Sequence, residues 1–161
     1  MQNLETKIKN LAQLKKTVKQ LRAKGKIIVF TNGCFDILHY GHVKYLQDAK
    51  DLGDFLIVAV NSDFSVSRIK GKRRPIVQEG DRLKIIAALQ SVDFVVKFNQ
   101  TTPLKTIKAL KPDILVKGSD WPKEEIVGSA YAASYGGKVK TVKLIPGRST
   151  TNLIDKIAKK T

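Results

Sequence analysis

With 161 residues and 42% apolar content, the chain has material for one domain around a real hydrophobic core, and no apolar run approaches the length of a bilayer span. One cysteine excludes an internal disulfide framework and any multi-cysteine metal site, and MQNLETKIKN lacks the apolar core of a signal peptide, so the expectation is a soluble, cytoplasmic protein. A net charge of +16 and a pI near 10.0 admit polyanionic partners (nucleic acid, anionic lipid, phosphorylated small molecules), although Lys7, Lys9, Lys15, Lys16, Lys19, Lys159 and Lys160 fall on terminal helices, where lysines also simply coat solvated faces.

Leu4, Ile8, Leu11, Leu14, Val18 and Leu21 recur at three- and four-residue steps, which predicts one amphipathic helix over the first 24 residues, ended by Gly25. IIVF follows as a short buried strand. TNGCFDILHYGH carries no clean period and leads into a helix from Val43 to Leu52, closed by Gly53. Phe55 to Val60 reads as a second buried strand, and Asp81 caps a helix running to about Leu89. Phe94 to Phe98 is a strand, Thr102 and Pro103 open a helix through Leu110, and Ile114 to Lys117 is a strand. A helix from Lys123 to Tyr135 stops at Gly136-Gly137. Val139 to Leu144 forms the last strand, and Ser149 or Thr150 caps a C-terminal helix. Strands alternating with helices predict an α/β fold: a parallel sheet with helices on both faces, a single domain over residues 1–161 with the 1–24 helix packed on it. Ligands in such sheets bind beyond the strands' carboxyl ends, here the loops after Phe30, Val60, Val116 and Leu144.

The two histidines of the chain, His39 and His42, both lie between the first strand and the first crossover helix. Two imidazoles three residues apart at a helix start can face one point. The helix N-terminus there attracts phosphate through its unpaired N–H groups and partial positive charge. Gly33 and Gly41 are read as letting a ligand approach the backbone closely. A zinc site lacks a third ligand, because Cys34 is adjacent on the loop and no other histidine exists.

FTNGCFDILHYGHVKYL resembles the HxGH signature of the nucleotidyltransferase superfamily, which implies a Rossmann-like fold. Together with NSDFSVSRIKGKRRPI, DRLKIIAALQSVDFVV, KPDILVKGSDW, YGGKV and RSTTN, it is similar to the adenylyltransferases of ADP-heptose synthesis, which occur as the second half of a bifunctional kinase–transferase and as separate proteins. No sugar-kinase half is visible, so the expectation is a stand-alone transferase or an excised domain. The resemblance implies transfer of AMP from ATP to D-glycero-β-D-manno-heptose 1-phosphate, giving ADP-heptose and pyrophosphate for lipopolysaccharide core synthesis. Arg148 stands where glycerol-phosphate relatives carry isoleucine, and Ser119 where relatives often carry glycine or aspartate; neither change removes a phosphate-binding group.

A phosphate monoester is largely ionised at neutral pH, so the attack needs no general base and no covalent nucleophile. It needs two anions aligned and their charge relieved. His39 and His42 are assigned to the α- and β-phosphate oxygens. Lys70 and Lys72 flank Gly71 in what reads as a basic loop after the second strand. They match paired lysines in relatives, one toward each phosphate, with Arg68, Arg73 and Arg74 beside them. Ser149, Thr150 and Thr151 combine capping with binding of the β- and γ-phosphates, and Arg148 adds a bidentate cation. The resemblance puts Lys117, Gly118, Asp120 and Trp121 at the adenosine, with Trp121 equally readable as half-buried core. Cys34, a small residue that fits its turn, is a candidate nucleotide contact with Phe35 and Gly41, and Asp36, Asn61 and Arg82 are candidates on the acceptor side, although relatives place Asp36 near the nucleotide. Asp36 also reads as orienting the turn, and Arg82 and Asp93 as scaffold ion-pair groups. Magnesium travels on the triphosphate. The implied partners are ATP, the sugar 1-phosphate and a second copy in a homodimer, with no nucleic acid and no membrane. The alternatives are a glycerol-3-phosphate-type cytidylyltransferase and, from another class, a basic nucleic-acid-binding module, which the scarcity of aromatics near the basic loop weakens.

Overall fold

The computed structural model describes residues 3–160. Five strands, β1 Ile28–Gly33, β2 Phe55–Asn61, β3 Phe94–Phe98, β4 Ile114–Gly118 and β5 Lys138–Val142, form one sheet in the order β3-β2-β1-β4-β5, every pair parallel. The β-branched runs of β1, β2 and β4 explain both their existence and their depth, whereas β5, at the sheet edge, alternates exposed and partly buried residues. Alternate residues serve two cores: Val29, Val58, Val60, Val95 and Val116 point to one face, and Ile28, Phe30, Ile57, Val96 and Leu115 to the other.

Helices cover both faces, as the alternating pattern predicts. Helices α3 (Tyr40–Lys50) and α5 (Glu79–Ala88) cover the first face, burying Tyr45, Leu46, Ala49, Ile86 and Ala87. Helices α2 (Leu11–Ala23), α6 (Leu104–Leu110) and α7 (Ser129–Ser134) cover the second, with Leu14, Val18, Ile107, Leu110 and Ala132. The chain runs outward from β1 to β3 and then crosses back to β4. The strand order therefore reverses between β1 and β4, where a crevice must open. Among the described residues no helix is long and apolar enough to cross a membrane.

Several boundaries differ from the sequence reading. The first helix is two: α1, Leu4–Lys7, and α2. Ile8 leaves the helical path to bridge Val95 at the edge of β3, and Asn10 restarts the helix through a capping box with Gln13. A further helix, α4 (Asp63–Lys70), occupies most of what reads as a loop; the Ser62 hydroxyl accepts from the Ser65 N–H at its start, and Gly71 closes it. Helix α5 is capped at Gln78, so Asp81 sits inside its first turn, where a carboxylate favours the helix dipole. Pro103, not Thr102, precedes α6. The stretch from Lys123 splits into a 3₁₀ turn, Lys123–Glu125, and α7, separated at Gly128, whose φ is +89°. The last strand ends at Val142, two residues early. The C-terminal helix α8, Thr150–Ala158, starts at Ser149 as expected.

Candidate active site

The crevice between β1 and β4 is a cavity of about 630 Å³. Its walls come from the turn after β1, the end of α4, the loops after β3, β4 and β5, and the start of α8.

His39 is the N-cap of α3 but makes no side-chain capping bond, which leaves its ring free for the cavity. His42 lies on the first turn. The two rings stack with centroids 3.8 Å apart at 22°, and the edge of Phe35 packs on His42 at 5.2 Å and 67°. Each Nδ1 is buried without a protein partner. The glycines serve this packing more directly than ligand approach. A β-carbon on Gly41 would lie 2.9 Å from the His39 ring, and one on Gly33 would lie 2.9 Å from the Phe35 ring. The Tyr45 and Thr31 hydroxyls lie 2.6 Å apart and both lie within reach of the Val116 carbonyl, at 3.2 and 3.0 Å; one donates to that carbonyl and the other to its neighbouring hydroxyl, pinning α3 over the β1–β4 crevice.

Burial, and then the neighbouring His39, push the His42 pKa down to about 4; burial, and then Arg148, lower that of His39. At neutral pH both rings are uncharged, each with one N–H to donate. The unfolded chain takes up a proton near the ordinary 6.5 that the folded His42 refuses until about 4. Stability contributed by neutral His42 is therefore complete above 6.5 and lost as pH falls toward 4. Thermal melts across that window are expected to fall more steeply for the wild type than for His42→Asn; equal slopes would contradict the assignment.

Lys70, Arg74, Lys117 and Arg148 line the cavity. Lys70 is the last residue of α4, not a loop residue, and Lys72 is exposed on the following turn, outside the cavity lining. Arg74 is held in place: its Nε donates to Asp36 Oδ2 at 2.5 Å, and the N–H groups of Ile76 and Val77 donate to the same carboxylate at 2.8 Å each. Burial alone would raise the Asp36 pKa, but the two N–H groups and the guanidinium outweigh it and hold the carboxyl below its usual range. Arg82 does not contact the cavity. It is fully buried beneath it, donating to the carbonyls of Cys34 (2.5 Å) and Val77 (2.9 Å) and to Asp63 (2.7 Å). Its expected acceptor contact gives way to the scaffold role, because three fixed partners consume the guanidinium. Asp93 is likewise a scaffold group, accepting from Lys50 and from the Leu56 N–H.

Burial raises the Cys34 thiol, against the opposing lysines and arginines, so it stays protonated in its turn. Asn61 is buried; its amide donates to Ser65 Oγ at 2.9 Å. Gly118, Asp120 and Trp121 line the opposite wall, and Trp121, 49% exposed, is not a core residue. Ser149 Oγ caps α8 by accepting from Asn152 N–H at 3.1 Å, and Thr150 donates to the Ile37 carbonyl at 3.4 Å. Both face the cavity with Thr151 and Arg148. Thr101, Thr102 and Pro103, in the loop after β3, and Glu125, in the 3₁₀ turn after β4, also line it; no local motif in the sequence marks them as site residues.

The family model described as cytidylyltransferase-like matches residues 30–154. The chain is 54% identical over 153 residues to the bifunctional protein HldE of Geobacter metallireducens, and 54% identical to that of Geotalea uraniireducens. Each alignment covers 95% of this chain and 31% of the relative, so the chain spans about a third of the length of these curated relatives. Among solved structures it resembles the lipopolysaccharide core biosynthesis protein of Thermoplasma volcanium (38% identity, TM-score 0.63, 75% of this chain and 98% of that one). It also resembles pantoate-beta-alanine ligase of Francisella tularensis, solved with beta-gamma ATP and beta-alanine (16% identity, TM-score 0.65, 89% and 68% covered); at that identity the likeness is one of fold.

Proposed function

The chain belongs to the cytidylyltransferase-like family, and from that premise we propose that it transfers AMP from ATP to D-glycero-β-D-manno-heptose 1-phosphate, forming ADP-heptose and releasing pyrophosphate. The observation that carries the reading is the stacked pair of neutral imidazoles at the start of α3, unpartnered at Nδ1 and facing a crevice lined with cations. The kinship with HldE and with a lipopolysaccharide core biosynthesis protein supports the heptose and the pathway.

In this reading a phosphate oxygen of the sugar 1-phosphate attacks the α-phosphorus. A new P–O bond forms, the α–β bridging bond breaks, and its electron pair leaves with pyrophosphate. No side chain need remove a proton. His39 and His42 donate N–H bonds to oxygens whose charge grows along the path. Lys70, with Lys72 once the turn closes, balances the approaching acceptor phosphate. Arg148 and the start of α8 hold the departing β- and γ-phosphates. Magnesium enters as part of the nucleotide substrate, held by phosphates and water. The acidic donors near the cavity fit that role and no tighter one: Asp36 is already committed to Arg74 and two N–H groups, which leaves Asp120 and Glu125, and among the described residues no three His, Cys, Asp or Glu side chains are grouped to hold a metal.

The same reading takes residues 1–161 as one nucleotidyltransferase domain, small molecules rather than nucleic acid as partners, the cytoplasm as its place, and the homodimer implied by the resemblance. Light scattering checks the last, with twice 17.9 kDa expected. The decisive assay measures pyrophosphate release from ATP or CTP with a panel of sugar 1-phosphates and glycerol 3-phosphate. ATP with the heptose 1-phosphate is expected to give the highest kcat/KM. Preference for CTP with glycerol 3-phosphate, or release with no acceptor in the panel, would displace the proposal.

A further inference from the structure

Among the four cations lining the cavity, Lys117 is placed differently from the rest. Arg74 is neutralised by Asp36, while Lys70 and Arg148 are exposed. Lys117 is half-buried near the end of β4, at the point where the strand order reverses. Its side chain reaches sideways to β1, where Nζ donates to the Asn32 carbonyl at 3.4 Å, a long bond. Among the described residues no carboxylate lies within the 4.0 Å of an ion pair with it. An ammonium carries three N–H donors, and this one uses one of them weakly. Burying a cation without a counter-charge is costly unless something else completes it. Burial accordingly lowers the Lys117 pKa; Cys34 and Asp120 pull the other way, and the charge of Lys70 adds to the depression. Two ammonium groups facing one crevice, one half-buried and nearly unpartnered, form a site whose missing component is an anion.

Resting on the nucleotidyl-transfer reading, we propose that Lys117 is a catalytic residue whose ammonium bonds a non-bridging oxygen of the α-phosphate, rather than a contact to adenosine. Gly118, Asp120 and Trp121, which line the cavity beyond Lys117, are the residues this reading leaves for the adenosine. From its position beside Asn32, just before the histidine turn, Lys117 approaches the reacting phosphorus from the floor of the crevice while the imidazoles approach from α3. It keeps its proton throughout and supplies charge only. The acceptor oxygen forms the bond to phosphorus, and pyrophosphate departs with the pair from the bond that breaks.

Lys117→Met separates this role from the two others open to a half-buried lysine. Titration calorimetry with adenosine, AMP and ATP is run beside thermal melting of the unliganded protein and turnover with ATP and the heptose 1-phosphate. Adenosine affinity is expected to stay within about twofold, AMP and ATP affinity to drop roughly tenfold, and kcat to fall by about 10²–10³. The unliganded melting temperature is expected to hold or rise, because an uncompensated buried charge has been removed. Equal losses for adenosine and ATP would make Lys117 a nucleoside contact, and a lower melting temperature would make it scaffold; either overturns the inference, as does unchanged ATP binding. A wild type that binds ATP but transfers to no sugar phosphate would sink the proposed reaction instead, with the adenosine-to-ATP comparison still deciding what Lys117 touches.

Discussion

His42→Ala is expected to reduce kcat by roughly 10²–10³, equivalent to about 2.7–4 kcal/mol of lost transition-state stabilisation, with the fold retained. The ring stands in a neutral, partly dehydrated setting against Phe35 and His39, so its N–H is oriented before substrate arrives. A donor fixed in this way acts most strongly where negative charge develops, which predicts a fall in kcat with little change in KM for ATP. The space it vacates opens onto the existing cavity rather than into either core, so the stability cost should be small. His39→Ala should behave similarly. Because the rings are stacked at 3.8 Å, the double variant should lose less than the product of the single losses. Steady-state kinetics of the three variants decides this, and a His42→Ala enzyme turning over at near the wild-type rate would remove the imidazoles from the mechanism.

What the sequence discloses and what it hides follow the range of the interactions involved. The strands are legible because a buried parallel strand needs a near-continuous apolar run rich in β-branched residues, and IIVF, FLIVAV and FVVKF leave little else to form. The imidazoles and the RSTT segment are legible because helix termini write their chemistry in adjacent residues. The N-terminal break is not, since Ile8 falls on the helical apolar spacing whether it faces α2 or pairs with Val95. Helix α4 is obscured because it buries only Ser65 and Val66 and so shows hardly any apolar stripe. The site's supporting ties are the least legible. Asp36 and Arg74 are 38 residues apart, and Arg82 and Cys34 are 48 apart; nothing local marks them as partners. That is why the sequence leaves Arg82 readable both as a scaffold group and as an acceptor contact, while in space it is a strut. Lys72, paired with Lys70 through the resemblance, lies on an exposed turn outside the cavity lining, a position fixed by where α4 ends and Gly71 turns the chain.

Those ties make Asp36 the position where a single change should cost most in stability. Asp36→Ala removes the acceptor of three donors at once: the Arg74 guanidinium and the N–H groups of Ile76 and Val77. The Asp36 side chain is 1% exposed and that of Arg74 is 17% exposed, so water restores little of what is lost. Breaking one partner of a buried, hydrogen-bonded ion pair costs about 3–5 kcal/mol, and urea denaturation should register a loss of that order. Asp36→Asn keeps the oxygen that accepts from both N–H groups but loses the charge and the acceptor facing Arg74, and should fall between. Function should suffer by a different route from that of His42. Asp36 ties the segment from Arg74 to Val77 to the turn that carries the histidines, and Lys70 stands just ahead of that segment. Release of the segment should raise KM for the sugar phosphate more than it lowers kcat. The wild-type carboxyl titrates below the usual carboxylate range, so its stabilisation is complete above that range and is lost as pH falls through the lowered value. Acid unfolding of the wild type at the low end should therefore be steeper than that of Asp36→Asn. A variant as stable as the wild type, or equal acid slopes, would mean that the basic segment is held by something other than this carboxylate.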